Sequence, residues 1–109
     1  MESTTLAPGT GPAVKVGDTI RVRYKGSFVD GKEFDSSAKH GGEPISFTVG
    51  KPGLIEGWNR GVVGMKVGEK RKLVIPPSLA YGPSGRPPVI PPNSTLVFEL
   101  ELVAINPTK

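Results

Sequence analysis

Residues Thr19–Lys25, TIRVRYK, alternate without a break: Ile20, Val22 and Tyr24 fall on one side, Arg21, Arg23 and Lys25 on the other. A period of two with one apolar and one charged row is the pattern of a half-buried antiparallel strand. Downstream, Ser27–Phe34, SFVDGKEF, carries apolar arms around Asp30-Gly31, the residue types a tight hairpin turn needs. Ile45–Val49, ISFTV, reads as another short strand. Arg71, Leu73 and Ile75 share a row that alternates with Lys70, Lys72 and Val74, and Pro76-Pro77 ends that strand. Leu96–Ile105 is the longest, with Leu96, Phe98, Leu100 and Leu102 inward and Glu99 and Glu101 outward.

One segment breaks the period of two. In LIEGWNRGVV, Leu54, Trp58, Gly61 and Val62 fall at helical spacing. Pro52-Gly53 before it and Gly64 after it punctuate a short helix. Gly57 and Gly61 each weaken such a helix by about 1 kcal/mol relative to Ala. The helix therefore depends on packing, and glycines on its surface let a sheet approach closely. The expected fold is α+β: one twisted antiparallel sheet of about five strands wrapped around one short α-helix. It occupies residues 1–109 as a single domain, with Met1–Thr5 as a flexible tail.

Composition narrows the function. The net charge is +4, but the basic residues are interleaved with acids, unlike the clustered basic face of a nucleic-acid binder. No apolar run approaches the ~20 residues that span a bilayer, and MESTTLAPGTG lacks the basic and apolar regions of a leader. The chain has no cysteine, which removes disulfides and thiolate metal sites and suits a reducing compartment. The expectation is a soluble, cytoplasmic chain without nucleic-acid or membrane partners. The lone histidine, His40, sits in a polar loop, and no His/Cys/carboxylate cluster has metal-ligand spacing. Nucleophile elbow, phosphate loop and dinucleotide fingerprint are all missing. Covalent, metal or cofactor-dependent catalysis is not expected.

Pro76–Ser94 has no regular pattern, and loops of such length in compact domains are functional or disordered. Leu79, Tyr81, Val89 and Ile90 argue for a structured one. Within it, YGPSGRPPVIPPNS, Tyr81–Ser94, holds five of the twelve prolines. By itself the stretch reads either as a polyproline ligand, with Pro88 and Pro91 at PxxP spacing, or as part of a site acting on another chain's proline.

YKGSFVDGKEFDSS (Tyr24–Ser37), GKPGLIEGWNRGVVGMKVG (Gly50–Gly68), Tyr81-Gly82 and IPPNSTLVFELEL (Ile90–Leu102) resemble, in this order, the motifs of the FKBP-type peptidyl-prolyl isomerases. The resemblance runs from about Leu6 to Ile105. It implies a pocket between sheet and helix in which X–Pro bonds isomerise, with Tyr24, Asp35, Trp58, Tyr81 and Phe98 as catalytic residues. Trp58 would be the floor, Tyr24, Phe34 and Phe98 aromatic walls, and Asp35 and Tyr81 polar groups at the rim. Phe34, Ile45, Phe47, Leu54, Ile55, Arg86 and Ile90 would complete the ligand surface, the backbone N–H of Ile55 donating to a bound carbonyl. The resemblance further implies proline-containing peptides and proteins as partners, binding of the macrolides tacrolimus and rapamycin, and drug-dependent recruitment of calcineurin or TOR kinase. Three positions depart from the common pattern. Ile45 stands where many members carry an aromatic, Arg86 where histidine is frequent, and Pro88 where glycine is frequent. The chain is expected to be monomeric, with Pro88 the one hint of weak self-association through a neighbour's pocket.

Overall fold

The computed structural model describes residues 1–51, 55–86 and 89–106. Six strands form one antiparallel sheet: β1 (Glu2–Ala7), β2 (Thr19–Phe28), β3 (Glu33–Ser36), β4 (Ile45–Thr48), β5 (Lys70–Ile75) and β6 (Leu96–Ile105). Their order is β1-β5-β6-β2-β3, with β4 on the same edge of β2 as β3. Among the described residues the one α-helix, α1 (Glu56–Gly61), lies between β4 and β5 in sequence.

The alternation in TIRVRYK does what its period requires. Ile20 and Val22 are fully buried while Arg21, Arg23 and Lys25 face solvent. Leu96, Phe98, Leu100 and Leu102 of β6 and Leu73 and Ile75 of β5 join them in one core. The Asp30-Gly31 turn closes as expected. Gly31 donates to the Phe28 carbonyl, and Lys32 N–H bonds the Asp30 carboxylate at 2.9 Å, an Asx turn.

The sixth strand is β1. Glu2–Thr5, within the stretch expected as a flexible tail, pair with β5 from Glu2 opposite Val74 to Thr5 opposite Arg71, and the pairing continues to Ala7 opposite Lys70. β1 is almost wholly exposed, so no hydrophobic row announces it in the sequence. Its tie is polar: the Thr5 hydroxyl donates to Glu69 Oε2 at 3.2 Å.

The helix glycines explain how α1 reaches the sheet. A methyl group built on Gly57 would lie 2.5 Å from Ile75 Cγ2, and one on Gly61 would overlap the Leu73 side chain. Glycine therefore costs the helix propensity but lets its backbone rest directly on β5. Trp58, Gly61 and Val62 form the buried face. Leu54 and the Pro52-Gly53 start signal lie outside the described residues.

The C-terminal end of α1 is held by charge. Arg71 Nη1 donates to the carbonyls of Gly61 (2.9 Å) and Val63 (3.0 Å). Its Nη2 and Nε meet Glu69 Oε2 at 2.8 and 2.9 Å. Glu69 Oε1 accepts the Lys66 N–H at 3.0 Å. The pair is nearly solvent-free, so every polar atom in it needs these partners.

Candidate active site

β3 and β4 both pair with β2 but leave a gap between them: β4 ends opposite Val22, and β3 begins opposite Lys25. A 3-10 turn, Ser37–His40, fills this gap. The Ser37 hydroxyl accepts the Tyr24 N–H (3.2 Å) and donates to the Tyr24 carbonyl (3.4 Å). The Tyr24 backbone, paired with Leu100 of β6 on one edge, is thus fixed on the other by Ser37 in place of a strand, and its ring turns toward α1. The next residue but one, Gly26, opens the space beside it. A Cβ there would lie 2.7 Å from Phe98 and 2.8 Å from Phe34, so only glycine lets both rings cover β2.

Around these positions stands a cavity of about 110 Å³, lined by Tyr24, Phe34, Asp35, Ile55, Trp58, Tyr81 and Phe98. A pocket of about 150 Å³ holds a benzene ring, so this one has the scale of a single small ring. Trp58 is its floor, 3 % exposed. Tyr24 and Phe98 meet the indole edge-on at 5.4 and 5.2 Å between centroids, and Phe34 meets Phe98 edge-on at 5.7 Å. Perpendicular rings brace one another and leave a face open rather than stacking the space shut.

Two lining groups are joined. The Tyr24 hydroxyl donates to Asp35 Oδ2 at 2.8 Å, and Asp35 Oδ1 accepts the Ser36 N–H at 2.9 Å. Burial, then the hydrogen bond and charge of Asp35, push the Tyr24 phenol up to about 12. The phenol is therefore neutral and donating at every physiological pH. A raised folded pKa makes this contribution to stability complete below the ordinary value of 10 and lost as pH climbs toward 12. We predict that wild-type protein loses thermal stability between pH 10 and 12 by a component missing in Tyr24→Phe. Equal losses in the two proteins would disprove the link.

Asp35, expected as a polar group at the rim, sits in β3 and lines the cavity. Four other expected residues lie off the lining. Phe47 packs against Trp58, 5.8 Å between centroids. Ile45 packs against the core, Ile90 is buried at 4 % exposure, and Arg86 is exposed with its guanidinium 5.8 Å from the centre of the Tyr81 ring. Leu54 and Pro88 fall outside the described residues.

The described residues of the loop Pro76–Ser94 are tied by their own backbone. Arg86 and Ile90 exchange hydrogen bonds of 2.7 and 2.9 Å, Gly85 donates to Tyr81, and Asn93, at φ 57°, donates to Gly82. Tyr81 is thereby held at the cavity mouth. Behind α1, the Asn59 side chain accepts the Gly50 N–H at 2.9 Å and ties the helix to the β4 end. Sequence reasoning passed over Asn59 and Ser37, and the signal available was polar residues falling among buried ones. A larger hollow of about 180 Å³ lies among Leu6, Arg23, Lys25, Lys70, Glu99 and Glu101. It is open and charged, and Tyr24 is the one aromatic residue in its lining.

The sequence model of the FKBP-type peptidyl-prolyl cis-trans isomerases matches residues 11–103. The chain belongs to this family. It is 56% identical over 90 residues to FK506-binding protein 2 of Yarrowia lipolytica, a match that covers 83% of this chain and 62% of that protein. It is 55% identical over 89 residues to FK506-binding protein 1A of Neurospora crassa (82% and 73%), and 47% identical over 110 residues to a peptidyl-prolyl cis-trans isomerase of Schizosaccharomyces pombe (100% and 97%). The crystal structure of FkpA from Escherichia coli superposes with a TM-score of 0.85 at 50% identity, covering 98% of this chain and 48% of that one. The crystal structure of AtFKBP13 gives 0.85 at 37% identity, covering 94% and 90%. The chain thus spans under two thirds of the Yarrowia relative and of FkpA, and nearly all of the fission-yeast one. The six-stranded sheet with one short helix is the fold of these neighbours.

Proposed function

We propose that this FKBP-type chain isomerises X–Pro peptide bonds in the cavity over Trp58, with an apolar residue favoured at X. The observation that carries the reading is a ring-sized, aromatic-walled cavity with a buried indole floor in a chain of this family. The prolyl ring lies on Trp58. The Tyr81 hydroxyl and the Ile55 N–H, at the N-cap of α1 where helical N–H groups lack intrahelical acceptors, hold substrate carbonyls. One side of the bond is fixed while the other turns.

The chemistry asks for nothing more. Resonance resists rotation by ~18–20 kcal/mol, and the uncatalysed reaction takes tens to hundreds of seconds. Near 90° of twist conjugation is lost and the amide is less dipolar. A dry cavity then favours the twisted over the planar amide. No bond breaks, so no nucleophile is needed. Asp35 orients Tyr24 through the 2.8 Å hydrogen bond and keeps that wall in place.

The same cavity is the proposed site for FK506 (tacrolimus) and rapamycin, in keeping with two relatives named for FK506 binding. A drug-loaded surface would recruit calcineurin or TOR kinase. NMR exchange on a short Leu-Pro peptide tests the reading. Faster cis–trans exchange with the protein than without it is expected. No acceleration, with macrolide binding intact, would make the chain a binding module. Tyr81→Phe removes one hydroxyl from a partly exposed ring. It is expected to leave the melting temperature within a degree or two and to weaken macrolide binding by roughly 3- to 10-fold, the worth of one hydrogen bond. Unfolding with affinity retained would overturn the role of Tyr81.

A further inference from the structure

We infer that Arg86 selects substrates with an acidic side chain flanking the X–Pro dipeptide. The inference rests on the isomerase reading and names its substrate class.

Two observations place a positive charge at the cavity mouth. Tyr81 lines the cavity, and the Arg86 guanidinium stands over its ring, 5.8 Å from the centroid. Such a contact is attractive, because the ring face is electronegative, and it biases an otherwise free side chain toward the mouth. The base of that side chain is fixed as well. Arg86 N–H donates to Ile90 at 2.7 Å and Ile90 N–H returns the bond at 2.9 Å, while Ile90 itself is buried. Arginine therefore leaves a short bridge anchored in the core and ends on the ring at the rim.

Its charge is available. The ion pairs Lys39–Glu33, Arg60–Glu56 and Arg71–Glu69 lie elsewhere, and none seen among the described residues involves Arg86. Arg86 is also exposed, so it does not lose its hydration to reach this position. The opposing charge of the cavity, Asp35, accepts the Tyr24 hydroxyl on one oxygen and the Ser36 N–H on the other. A peptide laid across the mouth with its proline on Trp58 passes its flanking residues beside the Tyr81 ring. A carboxylate there meets the guanidinium fork, which accepts it through two N–H groups. A lysine there is repelled.

The size of the effect follows from exposure. A rim ion pair changes binding by up to about fivefold and weakens with salt. The test uses four peptides in which the central dipeptide stays Leu-Pro: Glu or Gln before it, and Glu or Gln after it. Catalytic efficiency is read by NMR exchange at low salt for wild type, Arg86→Gln and Arg86→Glu. The Glu/Gln ratio within each protein cancels any general loss of turnover. We expect a ratio of about three to five in wild type at one of the two flanks, falling toward one in 0.5 M salt. It should be near one in Arg86→Gln and below one in Arg86→Glu. A wild-type ratio of one at both flanks, or a preference that survives in Arg86→Gln, would overturn the inference while leaving the isomerase reading intact. No acceleration of any of the four peptides would overturn both.

Discussion

Trp58→Ala should cost about 3–5 kcal/mol of stability and abolish macrolide binding. The indole is 3 % exposed and braced by Tyr24, Phe47 and Phe98, so truncation leaves a void that the surrounding rings, fixed to β2, β4 and β6, cannot collapse into. A loss of binding alone would not separate floor from framework, so a second variant is needed. Among the described residues, the indole Nε1 is a buried donor with no hydrogen-bond partner. Trp58→Phe removes that unpaired group along with part of the ring. It should cost well under half of what the alanine variant does, since removing an unsatisfied donor offsets some of the lost volume. Urea denaturation measures both variants. If Phe and Ala cost the same, the indole N–H is satisfied in solution and the ring is not the packed floor described above.

The second large effect is remote from the cavity. Arg71→Met should destabilise the chain by about 3–5 kcal/mol, because it leaves Glu69 buried without its countercharge and two carbonyls at the end of α1 without donors. The double variant Glu69→Leu/Arg71→Met should regain part of that loss, since removing both charges removes the burial penalty. The recovery stays incomplete because the Lys66 N–H and the Thr5 hydroxyl lose their acceptor. Chemical denaturation of the three variants measures it. A double variant no more stable than Arg71→Met alone would show that the hydrogen bonds, not the uncompensated charge, dominate.

Arg71 also shows how far a sequence pattern reaches. It falls in the inward row of β5 with Leu73 and Ile75, and a charged residue in an inward row has to meet a buried partner. That much is legible. Which partner it meets, and that the cluster reaches Thr5 of β1 and the end of α1, depends on strand order. Alternation in β2 and β6 and the glycine-marked helix were likewise plain, because each is a local pattern that burial on one face enforces. β1 was not, since an exposed edge strand held by backbone hydrogen bonds has no hydrophobic period to read.

The site divides in the same way. Residue types and order along the chain were enough to place it in its family, and with it the seven side chains that line the cavity. Distance was not contained in them. That Phe47, Ile45 and Ile90 pack into the core rather than line the cavity follows from the β2–β4 pairing and the Arg86–Ile90 bridge, contacts between segments 20 or more residues apart or fixed by a loop's own turns. That Asp35 holds Tyr24 comes from the β2–β3 register, which sets Asp35 opposite Gly26, two residues from Tyr24. The amino-acid sequence by itself determined which faces are buried, where the backbone turns and which chemistry is possible, because those depend on neighbours within a few residues. Only the tertiary structure decided which rings share a cavity and which charge waits at its mouth, because those depend on how the sheet brings distant segments together.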